Sequence, residues 1–355
     1  MNLLDYLEEY SDISFKEIAF NEIDALALAD FSYVDFAELG IDKDRLDADE
    51  LLDYLDQYEP TSKDSDRKLN YLEVARLICE SERFDGVEFA HFKKIKDLDS
   101  EKQFQAVTII FKDFIYISYC GTDATTVGWK EDFNMAILDI VPSENEAIKY
   151  ANIVTSKHWF KKIYLGGHSK GGRLAITAAK EMESKNRIAA IFSFDAPNYP
   201  SNFYDANYSR IDSLILSYAP NESIIGRLMD EYRQKTIVKS TNSLLMQHDT
   251  FSWVIDDCSF TYDNAYTEKS TRIVNTINQM LTNSDLETKH QFIDTLFDFF
   301  DRLNIDKLPS EGNLLGFFAG KIPALVGEWK STSSEGRSAV KKIAFELIKD
   351  YLANK

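Results

Sequence analysis

Residues 161–182 read KKIYLGGHSKGGRLAITAAKEM. A short apolar run gives way within five residues to a segment with helical character, and Gly167 and Gly171 stand two before and two after Ser169. A chain that turns this sharply from strand to helix puts the residue at the bend in an uncommon backbone conformation and close to neighbouring chains. Glycine on either side supplies the missing bulk. With 14 glycines in 355 residues, the pattern Gly-x-Ser-x-Gly arises by chance in only about a few per cent of such chains. We read it as a nucleophile elbow, with Ser169 as the nucleophile, in preference to a glycine-rich turn carrying an idle serine.

The segments around the elbow alternate between strand and helix. GVEFAHFKKI, QFQAVTIIF and DFIYISYCGTD are extended, the first two joined by a loop at KDLDSEK. WKEDFNMAILDI and SENEAIKYANIVTSKH are helical, KKIYLGG is a strand, GRLAITAAKEMESK a helix, and RIAAIFSFDAP and IDSLILSYAP are strands. This order predicts a mostly parallel sheet flanked by helices, with extra helices at both termini, and the elbow motif makes the expected fold α/β-hydrolase-like. We expect an acidic helical segment at 1–60, a linker at TSKDSDRK, a hydrolase core at 69–265 and a helical segment at 266–355 that packs on or caps the core. Within LNYLEVARLICESERF, Leu72, Val74, Leu77 and Ile78 are expected to form the buried face.

Charge argues against two classes of partner. Forty Lys and Arg against 59 Asp and Glu give a net charge of -19, which repels phosphate backbones, so no nucleic acid is expected, and attraction to anionic lipid headgroups is expected to be equally weak. The start, MNLLDYLEEYSDISFKE, is acidic where a leader would be basic, and no apolar run reaches the ~18 residues of a spanning helix. Cys79, Cys120 and Cys258 form neither a disulfide framework nor a zinc pattern, so a cytoplasmic location is expected. Asp42 and Asp44 alternate as calcium ligands do, but Leu46, Asp47 and Asp53 occupy the positions where a ligand, glycine and glutamate would follow. No metal or cofactor is expected.

A serine nucleophile needs a base, and there are five histidines. His168 lies inside the elbow and is expected to point away from the serine. His91 and His158 precede the nucleophile, against the order Ser, acid, His used by this fold. His290 sits mid-helix among charged residues. His248, in NSLLMQHDTFSWVI, follows an irregular polar stretch beyond the last strands, where the base should arrive.

Two motifs together resemble the class 3 (fungal-type) lipase family, and within it a bacterial lipase-like branch described as domains of unknown function. They are GGHSKGGRLA, similar to the family's elbow, and YCGTDATTVGWKEDFNMA, similar to its oxyanion loop. The resemblance covers about residues 85 to 260 and leaves both ends unexplained. It implies that Thr122 and the backbone amide of Lys170 form the oxyanion hole, with Trp129 and Asp132 as the downstream pair. Cys120 stands where the family has arginine, and Ser223, with Glu222 beside it, aligns with the family's acid. A serine cannot stabilise an imidazolium. Asp195, at the end of the strand after the elbow helix, is the favoured acid and Glu222 the alternative, with Asp249 or no acid behind them.

The expected reaction is hydrolysis of a small acyl-ester or lipid substrate through an acyl-enzyme. The rival reading is a catalytically inactive hydrolase fold used for binding or as a scaffold; a third is a thioesterase or peptidase. NLLGFFAGKIPALVG (313–327) is the one segment suited to a lid or an interfacial membrane contact, with packing in the core or cap favoured over either.

Overall fold

The computed structural model describes residues 1–62, 64–97, 102–122, 141–229 and 232–283, together with positions 334 and 338. The expected helix over WKEDFNMAILDI, the helices of the last 70 or so residues and the 313–327 segment lie outside the described residues.

Among the described residues the scaffold is an eight-stranded sheet whose strands lie side by side in chain order, β1 (Arg45–Asp47), β2 (Glu88–Asp97), β3 (Lys102–Ile110), β4 (Phe114–Tyr119), β5 (Lys162–His168), β6 (Ile188–Phe194), β7 (Ile215–Pro220) and β8 (Thr236–Val238). β1 to β4 pair antiparallel and β4 to β8 pair parallel. A small antiparallel pair, β9 (Ile255–Asp256) and β10 (Ser259–Phe260), follows. The result is an α/β-hydrolase-like fold. The parallel half dictates where a site can form, because all its carboxyl ends open on one edge.

Alternation along the strands sends side chains to two cores. On one face Ile115, Ile117, Tyr119, Ile163, Leu165 and Ile191 pack against α5 (Pro142–Lys157) and α6 (Lys170–Glu181). On the other, Tyr116, Phe192, Phe194 and Tyr218 pack against α1 (Leu3–Glu9), α2 (Glu22–Phe31) and α4 (Asp66–Glu80). Between these helices in the chain comes α3 (Ala48–Asp56), capped by Asp47. After the sheet comes α7 (Glu268–Asn283), whose Ile273, Val274 and Ile277 are buried. No helix among the described residues is long and apolar enough to cross a membrane.

The N-terminal helices are more deeply built in than their acidity predicts. In α2 every residue from Ile23 to Phe31 is buried, two aspartates included. Tyr116 Oη and Ser118 Oγ, on the sheet, donate to the α2 carbonyls of Ala25 and Leu28 at 2.9 and 2.6 Å. Asp24 is matched by Arg83, whose Nε and Nη2 reach its two carboxylate oxygens at 2.7 and 2.6 Å, both side chains being buried. Arg83 Nη1 also donates to the Ile13 and Ile18 carbonyls. Arg83→Met should therefore cost about 3–5 kcal/mol, because it strands a buried carboxylate. Arg83→Met with Asp24→Leu should recover most of that loss. Urea unfolding of the two variants measures both effects, and equal losses would contradict this account.

Two expectations need correction. The buried face of α4 is Tyr71, Val74, Ala75 and Ile78, at i, i+3, i+4 and i+7, while Leu72 and Leu77 are only half-buried. Tyr71 stacks on Tyr33 at 4.6 Å, so an aromatic contact turned the helix away from its leucines. The linker is also shorter than expected, since Ser65 already caps α4 through the amide of Lys68.

Candidate active site

Ser169 follows β5 directly and stands at the N-cap of α6, with φ 57° and ψ -130°. A non-glycine residue held there costs on the order of 1–3 kcal/mol, strain that persists only where its surroundings enforce it. They do so here. The Ser169 amide donates to the Phe194 carbonyl at 2.8 Å, prolonging the β5–β6 ladder by one residue. The first turn of α6 crosses the end of β4 so closely that a Cβ on Gly171 would lie 2.0 Å from the Tyr119 carbonyl oxygen. Across the same turn a Cβ on Gly167 would lie 2.4 Å from the carbonyl carbon of Gly171. Both glycines are thus required by packing.

Asp195 occupies the corresponding place one strand along. It follows β6, its amide donates to the Tyr218 carbonyl at 2.8 Å, and its φ is 46°. Its buried carboxylate has two partners. Oδ2 lies 2.7 Å from Nδ1 of His248, and Oδ1 accepts from Ser223 Oγ at 2.5 Å. An ionised carboxylate only accepts, so Nδ1 carries the proton and Nε2 presents its lone pair. His248 ends a 3-10 turn, Leu244–His248, beyond β8. Gly226 makes room for the carboxylate, since a Cβ there would lie 2.1 Å from Asp195 Oδ1. Buried Lys235 ties the two loops together through Nζ, which donates to the carbonyls of Ala196 and Gly226.

The other expected residues fall as follows. Among the described residues the Glu222 carboxylate makes no hydrogen bond or ion pair with His248. Its Oε2 accepts from the Leu244 amide at 2.9 Å, and its Oε1 lies 3.3 Å from Thr267 Oγ1 and 3.6 Å from Lys269 Nζ. It fastens the base of the 244–248 turn to the start of α7. Asp249 lies 3.8 Å from Arg67. Thr122 stands half-buried beyond β4, and Lys170 is the first residue of α6, its Nζ donating to the Gln103 carbonyl at 2.9 Å. Trp129 and Asp132 lie outside the described residues. Among the described residues no cluster of three or more His, Cys, Asp or Glu has the arrangement of a metal site.

Sequence reasoning missed the surroundings of His248. The ring of His168 packs on that of His248, 4.4 Å between centroids. Burial, with His248 next in effect, pushes the pKa of His168 well down, so the stack sets a neutral ring against His248. Its Nδ1 lies 3.0 Å from the hydroxyl of Tyr33, which arrives from the end of α2. No spacing rule connects positions 135 residues apart. Thr250, two residues past His248, donates to Asp30 of α2 at 2.6 Å.

Residues 78–298 match the family model described as Mbeg1-like. Among solved structures, the chain is similar to a lipase from Rhizopus microsporus var. chinensis (12% identity, 75% of this chain and 82% of that one, TM-score 0.35). It is similar also to Lip2 lipase from Yarrowia lipolytica (11%, 50% and 83%, 0.34). A lipase propeptide complex from Rhizomucor miehei is a third (12%, 51% and 70%, 0.32). No curated protein matches the chain.

Proposed function

This chain belongs to the Mbeg1-like family, and we propose that it is a serine hydrolase that cleaves carboxylic esters, in the manner of a lipase or esterase, through an acyl-enzyme on Ser169. The observation that carries this reading is the 2.7 Å contact between His248 Nδ1 and Asp195 Oδ2 on the sheet edge where Ser169 is held in a strained elbow.

In the proposed reaction, Nε2 of His248 takes the hydroxyl proton as Ser169 Oγ attacks the acyl carbonyl carbon. The imidazolium so formed faces a carboxylate that water scarcely screens, since Asp195 is 1% exposed. The amides of Lys170 and Thr122 receive the oxyanion. His248 returns the proton to the leaving alcohol, and a water deprotonated by the same nitrogen then releases the acid.

The test is labelling of the purified chain by a fluorophosphonate. Wild type should label, Ser169→Ala should not, and His248→Ala should label at least about 10³-fold more slowly. A folded wild type that stays unlabelled, with and without detergent, would leave an inactive binding fold as the better reading. Given labelling, nitrophenyl esters of graded chain length would set the preferred acyl group.

A further inference from the structure

The end of the molecule opposite the serine carries a surface that hydrolysis does not use. Trp159 and Phe160, in the turn between α5 and β5, are 73% and 66% exposed, and their rings meet edge to face at 5.7 Å. These aromatics are held out by a built support. Arg187 Nη1 donates to the His158 and Lys161 carbonyls at 2.8 Å each, and its Nη2 to the Thr155 carbonyl at 2.9 Å. Lys161 Nζ donates to the Phe111 and Lys112 carbonyls at 2.5 and 2.6 Å, joining the neighbouring β3–β4 turn to the same platform. Five side-chain donations therefore tie this turn to its neighbours, while its two largest apolar side chains point into water.

Charge around the pair runs against the rest of the chain. The three turns at this end, 112–113, 157–162 and 183–187, hold Lys112, Lys157, Lys161, Lys162, Lys185 and Arg187 against only Asp113 and Glu183. His158 adds nothing to this charge at neutral pH, because burial, then Arg45 and the adjacent lysines, lowers its pKa. The net charge of -19 would repel an anionic surface at long range, but screening confines each charge to about 8 Å at physiological salt. At contact the local excess of cations decides.

We propose that the Trp159–Phe160 turn docks this protein on an anionic lipid bilayer, the two rings entering the headgroup layer and the exposed Lys112, Lys157 and Lys162 facing lipid phosphates. An indole and a phenyl ring flanked by lysines match the chemistry of that boundary, apolar below and negatively charged above. An acidic protein groove would attract the cations equally, but two protruding rings with no groove of their own suit a deformable layer better. The seven residues of β5 separate this turn from Ser169 by about 20 Å. Docking therefore leaves the elbow facing the aqueous phase, and the inference does not depend on the serine being active.

The experiment is cosedimentation of the full chain with vesicles of phosphatidylcholine alone and with about one-third phosphatidylglycerol. Wild type should bind only the anionic vesicles and release in about 0.5 M salt. Trp159→Ala/Phe160→Ala should weaken binding at least about tenfold, and Lys157→Glu/Lys162→Glu should do the same. All four side chains are on the surface, so unchanged melting temperatures will show that the variants fold. Absence of wild-type binding would overturn the proposal, as would binding that both double variants retain. A wild type that ignores vesicles but self-associates through these residues, seen by sedimentation, would overturn it in favour of a second copy as partner.

Discussion

Asp195→Asn is expected to slow acylation of Ser169 by about 10³–10⁴-fold, with little change in melting temperature. The side chains are nearly isosteric, so the packing at Ser223 and Gly226 survives. What changes is the tautomer. An amide can turn its NH₂ toward Nδ1, which then becomes the acceptor, and the proton moves to Nε2 where the lone pair is needed. Ser223→Ala removes the 2.5 Å donor to the other carboxylate oxygen. A hydrogen bond to a charged group is worth about 1.5–3 kcal/mol, so a loss of roughly ten- to hundredfold is expected if the bond orients the carboxylate. Glu222→Gln should alter the rate by less than about tenfold and appear instead as about 1 kcal/mol of stability, because its partners are the Leu244 amide, Thr267 and Lys269. Fluorophosphonate labelling rates on the three variants decide the matter. A large loss in Glu222→Gln with little in Asp195→Asn would reverse the assignment of the acid.

The two carboxylates show where sequence reasoning stops. Strand order places both Asp195 and Glu222 at carboxyl ends of the sheet, and nothing local states which way either points. The direction comes from contacts made across the sheet edge. Gly226 leaves space for one carboxylate, Ser223 donates to it, and Lys235 holds its loop. The strands and helices of the parallel half are legible because their periodicity is a local property of burial on two faces. The three residues of β1 and the three of β8 are too few to carry a period, and they form because a neighbouring strand edge supplies their hydrogen bonds. α2 shows a different limit. It reads as an acidic helix, and nothing near Asp24 and Asp30 in the chain says that both are buried, because their partners, Arg83 and Thr250, lie 59 and 220 residues away. Burial of a polar group depends on a partner, and partners at that distance are invisible in a window of sequence.

Asp30 supplies the second large effect, a slope of stability with pH. It is fully buried in α2, and burial first, with Asp249 adding, pushes its pKa up to about 8 against the pull of the Thr250 hydroxyl. Its Oδ1 is buried with no hydrogen-bond partner, an environment that favours the neutral acid. The folded chain thus holds this proton more tightly than the unfolded chain, where the ordinary value is 3.8. Stability from this group is complete below about pH 4 and is lost as pH rises toward 8, by about 1.4 kcal/mol per unit. Asp30→Asn keeps an acceptor for Thr250 and has no proton to lose. The variant should therefore gain on wild type by roughly 4–6 kcal/mol between pH 4 and pH 8 and run parallel to it above. Urea midpoints of both proteins at about pH 5, 6.5, 8 and 9 measure the difference; curves that stay parallel throughout would mean that Asp30 is ionised in the folded chain. Thr250 follows the turn that ends in His248, and Tyr33, three residues beyond Asp30, meets the elbow histidine. α2 consequently touches both halves of the site, and on this reading a helix outside the family match at 78–298 is part of what holds base and elbow in register.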